Sequence, residues 1–237
     1  MRVKSNKLAL RVLSTATFLA MVSSCATAAF ADTYDLTKGS VTVNADSNGT
    51  YVTQKAADGS FVKNGDVELN NYDDKTPVTL TSNGEETSNT ASIYTEKGVS
   101  TTVTLDNVNI DASGTDKAAI DTKGKVTLEL DGDNTLTGGK GHAALEKYSG
   151  NDTDYTLTLQ DETTGDGKTG SLTANGGTGG AGIGGAAATH KGYTDYITIT
   201  GGTITATGGA GGAGIGGGEG SGKNGGNAGD ITISGGT

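Results

Sequence analysis

The chain has 237 residues, of which 41 are glycine, and it carries a formal net charge of −10 at pH 7. It has no tryptophan and few other aromatic residues. This composition excludes a bulky globular core and favours a thin core of stacked aliphatic side chains, as in repeat architectures. The acidity excludes nucleic acid as a partner, because phosphate neutralisation requires clusters of lysine or arginine.

The N-terminus has the order of a secretory signal peptide. Basic residues come first, an apolar stretch covers residues 12–22, and the A-x-A pattern of residues 29–31 precedes Asp32. The basic residues are Arg2, Lys4, Lys7 and Arg11. The apolar stretch is shorter than the ~20 residues that a membrane span needs. We therefore predict a signal peptide over residues 1–31, no membrane span, and a secreted or cell-surface protein.

The same segment has a second interpretation as a lipoprotein signal. Residues 22–25 loosely match a lipoprotein box, in which Cys25 would carry a lipid anchor. The A-x-A spacing is the better match, so we expect cleavage after Ala31. The remaining chain has neither arginine nor cysteine, which excludes disulfides. Its thirteen basic and 27 acidic residues give a net charge of about −14.

Short strands with a period of two residues follow along the chain. Residues 32–75 are less regular and are predicted to form an N-terminal cap or an irregular β region. Alternating segments recur along the chain, and most are followed by Gly, Asn or Asp, which favour turns. The clearest segments are residues 41–43, 78–80, 103–105, 126–130, 157–159, 197–200 and 231–233.

The C-terminal third repeats itself. Residues 172–185 recur 32 positions later as residues 204–217, and residues 197–203 recur 34 positions later as residues 231–237. Each unit reads as strand, turn, strand, Gly-rich turn and short apolar triplet, which predicts one coil of a parallel β-helix. The fold class is therefore an all-β solenoid over residues 76–237. Because the pattern stops at Thr237 within a unit, we expect the natural sequence to continue.

The solenoid prediction assigns a direction to each side chain. Aliphatic residues are expected to point inward and one threonine per coil to point outward. The inward residues are Val103, Leu105, Val126, Leu128, Leu130, Leu157, Leu159, Ile197, Ile199, Ile204 and Ile215. The outward ladder is Thr104, Thr127, Thr158, Thr198 and Thr232.

Acidic residues recur at the turn after the first strand of each upstream coil. Asp106 precedes Asn107 in one coil, and Asp131 and Asp133 precede Asn134 in the next. Stacked coils would bring these carboxylates together, and Ca²⁺, which takes 6–8 oxygen ligands, would relieve their repulsion. The alternative is that Asp and Asn simply suit a solvated turn. Sequence alone leaves both interpretations open.

Other polar residues offer weaker signals. His142 and His190 are the only histidines, so a zinc site is not expected, and both are predicted to lie in surface loops. Tyrosine rings suit the apolar faces of sugars, although tyrosines at strand ends are also common without that role. The tyrosines concerned are Tyr148, Tyr155, Tyr193 and Tyr196.

The repeats resemble those of a known group of proteins. ITITGGTITATGG and GAGIGGG, preceded by TVTLDNVNI and LELDGDNTL, look like the carbohydrate-binding parallel β-helix surface proteins of clostridial and related Gram-positive gut bacteria. The likeness covers roughly residues 78–237. It implies a right-handed β-helix similar to pectate lyases, an acidic plant polysaccharide as ligand, and calcium held by Asp106, Asp111, Asp131 and Asp133. The high glycine content of the later coils departs from that pattern.

Three functions follow as hypotheses. The first is a noncatalytic carbohydrate-binding or adhesin-like protein, with Asn107, Asn134, Tyr148 and Tyr155 on its binding flank. The second is a polysaccharide lyase or glycoside hydrolase on the same fold. Absence of arginine after residue 31 weighs against the lyase, which typically uses a basic catalytic residue, whereas paired carboxylates would serve a glycosidase. The third is a structural surface stalk. The sequence does not determine the oligomeric state.

Overall fold

A computed structural model describes residues 32–64, 67–68, 70–73, 78–148, 154–161, 169–187, 194–221 and 225–237. The predicted signal peptide, Cys25, His190 and Tyr193 lie outside these residues. In the described part the protein is all-β, apart from one short 3-10 helix at Leu36–Lys38. The strands in chain order are β1 (Asp32–Asp35), β2 (Ser40–Asp46), β3 (Gly49–Lys55), β4 (Lys63–Asn64), β5 (Val67–Glu68), β6 (Asn70–Asp73), β7 (Val78–Thr81), β8 (Glu86–Thr87), β9 (Ala91–Thr95), β10 (Ser100–Asp106), β11 (Asn109–Asp111), β12 (Ile120–Lys123), β13 (Lys125–Asp131), β14 (Asp133–Thr137), β15 (Leu145–Lys147), β16 (Leu157–Gln160), β17 (Ser171–Asn175), β18 (Ile183–Gly184), β19 (Ile197–Ile199), β20 (Thr203–Thr207), β21 (Ile215–Gly216) and β22 (Ile231–Ile233).

Almost all of these strands belong to three sheets. Sheet I has the order β1-β7-β10-β13-β16-β19-β22, sheet II has β20-β17-β14-β11-β8, and sheet III has β21-β18-β15-β12-β9-β2-β3-β6. Every pairing in sheets I and II is parallel. From β7 onward the chain enters sheets I, II and III in turn and then returns to sheet I. The prediction of an all-β chain with stacked parallel strands is confirmed.

The parallel stack reaches into the segment that we expected to be a cap. β1 pairs with β7 in sheet I, and β2 pairs with β9 in sheet III, both in parallel. Four strands depart from this arrangement: β3 and β6 extend sheet III by antiparallel pairing, and β4 and β5 pair antiparallel in a small sheet of their own. The described residues contain no helix long and apolar enough to cross a membrane.

The core is a column of aliphatic side chains. Val103 is paired with Val78 and Leu128, and Leu105 is paired with Leu80 and Leu130, and all six side chains are buried. Burial of each such side chain stabilises the fold by roughly 1.5–3 kcal/mol. All predicted inward residues from Val103 to Ile199 are buried, whereas Ile204 and Ile215 are partly buried and pack against the core.

The threonine ladder differs from the prediction by one member. Thr127, Thr158, Thr198 and Thr232 occupy one outward row, but Thr102 precedes them in register. Thr104 lies in the neighbouring row, between Thr79 and Glu129. The error has a physical cause. Strand β13 offers two alignments that keep its aliphatic residues inside, and they differ by two residues.

Glycine is required where neighbouring layers touch through their backbones. A Cβ atom at Gly177 would overlap the carbonyl group of Gly139, one layer away. At the turn from sheet I to sheet II, successive layers place Asn107 and Gly132 in the left-handed region, at φ values of 53° and 61°. Asn and Gly are the residues that adopt this conformation most readily. The Gly-rich composition therefore follows from the tight stacking.

Candidate functional site

The outer face of sheet III carries a groove that is lined by ionisable side chains. Ser92, Asp121 and Glu146 occupy the same register position on β9, β12 and β15. Their neighbours Ile120 and Leu145 are buried in the core, so the acidic residues face outward. Alternation along two neighbouring strands thus places two carboxylates side by side on one surface.

Two cavities lie against this row, and they share Tyr94 and Asp121. The larger has a volume of about 540 Å³ and the smaller one of about 260 Å³. The larger cavity is also lined by Asn44, Glu96, Lys123 and Tyr148. The smaller cavity is also lined by Ser92, Lys117, His142 and Glu146. We call these two adjoining cavities the sheet III groove.

Tyr94 holds the first carboxylate. Its hydroxyl donates a hydrogen bond of 2.7 Å to Oδ2 of Asp121. Burial raises the pKa of Asp121 above its ordinary value of 3.8, and the nearby charge of Glu146 adds to this, although the bond from Tyr94 opposes it. Burial also raises the pKa of Tyr94, so its hydroxyl remains a donor at neutral pH.

His142 holds the second carboxylate. Its Nδ1 lies 2.8 Å from Oε2 of Glu146, and the backbone N–H of Ala143 donates to the same oxygen over 3.3 Å. The hydrogen bond with Glu146 raises the pKa of His142 above its ordinary value of 6.5, against the opposing effect of burial. As predicted, His142 lies in a loop, the connection between β14 and β15, and there it also forms part of the wall of the smaller cavity.

Aromatic rings continue the groove past Lys123. The ammonium of Lys123 lies 5.1 Å from the ring centroid of Tyr148. The centroids of Tyr148 and Tyr155 are 6.1 Å apart. The structure therefore brings two of the predicted sugar-stacking tyrosines together, with Tyr148 in the wall of the larger cavity. Tyr196 lies next to β19 of sheet I instead.

The predicted calcium residues are only partly gathered. Asp106 and Asp131 are register partners at the ends of β10 and β13, as the stacking of acidic turns requires. Asp133 accepts a hydrogen bond of 2.9 Å from the hydroxyl of Ser171. Asp111 lies on sheet II instead, at the end of β11, where it accepts a bond of 2.8 Å from the backbone N–H of Ser113. Within the described residues, no group of three or more His, Cys, Asp or Glu side chains is arranged to hold a metal ion.

The two predicted asparagines shape the turn between sheets I and II. The amide of Asn107 donates to Oδ1 of Asp106 over 2.6 Å. Asn134 is only 1% exposed, and its Oδ1 accepts a bond of 2.9 Å from the N–H of Val108. Its amide also donates to the carbonyl group of Asp131 in its own layer and to that of Ser171 in the next layer. Asn134 therefore lies inside the protein, away from any surface that a glycan can reach.

Sequence reasoning did not select Tyr94, Asp121 or Glu146. A signal for the two acids was present. Residues 118–121 read AAID and residues 143–146 read AALE, so each apolar triplet is followed by an acid. The triplets were predicted from the repeats, but the acid that follows each of them was not. Tyr94 has no equivalent signal, because only the pairing of β9 with β12 places it next to Asp121.

The fold and the groove define an all-β protein of stacked, mainly parallel strands with an acidic groove on one face. No protein-family model matches the chain, and no curated protein or solved structure matches it either. The likeness to clostridial surface proteins therefore depends on the repeat motifs alone.

Proposed function

We propose that this chain is a right-handed parallel β-helix protein that acts outside the cytoplasm and binds carbohydrate without transforming it. The sheet III groove is the proposed binding site. The observation that carries this proposal is the placement of two adjoining cavities along one face, with Tyr94 shared between them and Tyr148 in the wall of the larger one. Export is supported by the signal-peptide pattern of residues 1–31.

The groove offers both kinds of contact that sugars use. The rings of Tyr94 and Tyr148 present apolar faces for the C–H surface of a pyranose. The carboxylates of Asp121 and Glu146 accept hydrogen bonds from sugar hydroxyl groups. The two cavities together suit a short stretch of polymer better than one enclosed small molecule, because they adjoin along the face of the sheet.

Binding is tested on a glycan array with the purified protein and its tyrosine variants. We expect Tyr148→Ala to weaken binding by about five- to tenfold, which corresponds to ~1–1.4 kcal/mol. Tyr196→Ala is the matched control, because Tyr196 belongs to the sheet I surface, and it should bind as the unmodified protein does. Failure of the folded protein to bind any glycan would overturn the proposal and favour the hypothesis of a structural surface stalk.

A glycoside hydrolase is the second candidate, and the pair of Asp121 and Glu146 favours it. Parallel strands lie ~4.8 Å apart, close to the ~5–5.5 Å between carboxyl groups of retaining glycosidases. Asp121, with its raised pKa, would give its proton to the leaving glycosidic oxygen. Glu146 would attack the anomeric carbon, and water would then release the sugar. Release of reducing ends, abolished in Asp121→Asn, would favour this candidate over plain binding.

A further inference from the structure

The sheet III groove is more acidic than a site for an acidic polysaccharide should be. Five carboxylates and two ammonium groups line it, with His142 as one further titratable group. The carboxylates are those of Asp46, Glu96, Asp116, Asp121 and Glu146, and the ammonium groups are those of Lys117 and Lys123. Resting on the proposed carbohydrate binding, we infer that the groove takes a glycan with free amino groups, such as a glucosamine oligomer, in preference to a uronic-acid polymer.

The paired carboxylates supply the first argument. Asp121 and Glu146 share a register position on adjacent parallel strands, whose spacing is ~4.8 Å. Two like charges at that separation destabilise each other, and a cation between them removes the penalty. A protonated sugar amine is such a cation, and it donates up to three hydrogen bonds to carboxylate oxygens. Sugar hydroxyl groups would leave the repulsion in place.

The aromatic wall supplies the second argument. Lys123 already places an ammonium 5.1 Å from the ring centroid of Tyr148, within this groove. The face of a tyrosine ring attracts cations through its quadrupole. Tyr94 lines both cavities and is held next to Asp121 by its hydroxyl, so its position next to the carboxylate pair is fixed. A ligand ammonium between Asp121 and Glu146 would thus also lie near an aromatic ring.

A uronic-acid polymer would be repelled by the charge of the groove. Its carboxylates would face the five acidic side chains of the groove, and the cationic groups that oppose that repulsion are fewer, namely Lys117, Lys123 and the protonated form of His142. Because the whole chain is also acidic, long-range attraction favours a cationic ligand as well. This second effect is nonspecific, and the test must separate it from binding in the groove.

The test compares three trisaccharides by calorimetry at mildly acidic pH and an ionic strength of about 0.15 M, where long-range attraction is screened beyond ~8 Å. They are the trimers of glucosamine, N-acetylglucosamine and galacturonic acid. We expect the glucosamine trimer to bind at least about tenfold more tightly than the N-acetylated one, since hydrogen bonds from an ammonium group to a carboxylate are stronger than those from a neutral amide. We expect the galacturonate trimer to bind more weakly than both.

Two variants with equal charge locate the effect. Glu146→Gln should remove most of the preference for the free amine, while its amide oxygen still accepts the bond from Ala143. Glu86→Gln on the exposed surface of β8 removes the same charge elsewhere and should leave the preference unchanged. Equal loss in both variants, or tighter binding of galacturonate, would overturn the inference. Binding of all three trimers without preference would overturn it too, yet would leave the proposed carbohydrate binding intact.

Discussion

Asp121 and Glu146 lie in the same register position on neighbouring strands, yet each has its own hydrogen-bond donor. Tyr94 donates to Asp121, whereas His142 and the backbone of Ala143 contact Glu146. Such an arrangement keeps two carboxylates close together on adjacent strands. Burial and the neighbouring charge of Glu146 raise the pKa of Asp121. The groove therefore destabilises the ionised form of Asp121 unless a ligand compensates.

The first prediction concerns stability and Asp121. Its pKa is raised in the folded state, so its favourable contribution is complete below pH 3.8 and is lost as pH rises through the folded-state pKa. Asp121→Asn keeps an acceptor for Tyr94 and removes the buried charge. We expect this variant to raise Tm at neutral pH by about 2–4 °C, the shift that ~1 kcal/mol produces in a domain of this size. The gain in Tm should disappear at pH 3. A gain of equal size at neutral pH and at pH 3 would contradict this prediction.

Lys147 provides a second test, on the inward side of β15. It is 3% exposed and shares an inward row with Thr122 and Ile93. Burial lowers its pKa from 10.5 to about 8, against the raising effect of Asp195. The folded protein is therefore penalised below pH 8, where Lys147 is charged, and the penalty fades as pH rises towards 10.5.

We expect Lys147→Met to raise Tm at pH 7 by a few degrees, because methionine fills the same space without a charge. Thermal unfolding followed by circular dichroism across the alkaline range measures this difference. The advantage of the variant should shrink steadily above pH 8. A variant that is less stable than the unmodified protein at every pH would show that the lysine stabilises this position.

Backbone stacking is tested at Gly177. A methyl group there would overlap the carbonyl group of Gly139, so Gly177→Ala must push two layers apart. Overpacking of this kind destabilises by roughly 1–3 kcal/mol, and we expect Tm to fall by about 3–10 °C. Gly114→Ala is the matched control, because no atom lies within 4 Å of its added Cβ. Equal Tm values for the two variants would argue against close contact between these layers.

Calcium at the acidic turn stays a prediction. The register of Asp106 and Asp131 places the two residues side by side, and Ca²⁺ would relieve their repulsion. We expect added Ca²⁺ to raise Tm and EDTA to reverse that rise. Free Ca²⁺ at 100 times its dissociation constant would raise the free energy of unfolding by ~2.7 kcal/mol. Asp131→Asn should abolish the response. If EDTA leaves Tm unchanged in the unmodified protein, the acidic turn is simply solvated.

Much of the fold was predictable because it is local. Period-two segments such as that around Leu128 identify strands, and their recurrence identifies stacking. The alignment of the layers was less predictable. Thr104 was assigned to the row of Thr127, although Thr102 occupies that place. Both alignments keep the same aliphatic residues inside, so the sequence pattern does not choose between them.

The sequence by itself determined that the chain forms short, stacked β-strands with an aliphatic interior and glycine at the close contacts, since side-chain alternation and turn preference act over a few residues. Only the tertiary structure decided which surface residues meet. Tyr94 and Asp121 are 27 positions apart, yet they form a hydrogen bond. Asp121 and Glu146 are 25 positions apart, yet they are register partners on adjacent strands. Both pairs meet because three successive layers align in sheet III. That alignment depends on the length of every intervening turn, which no local pattern encodes.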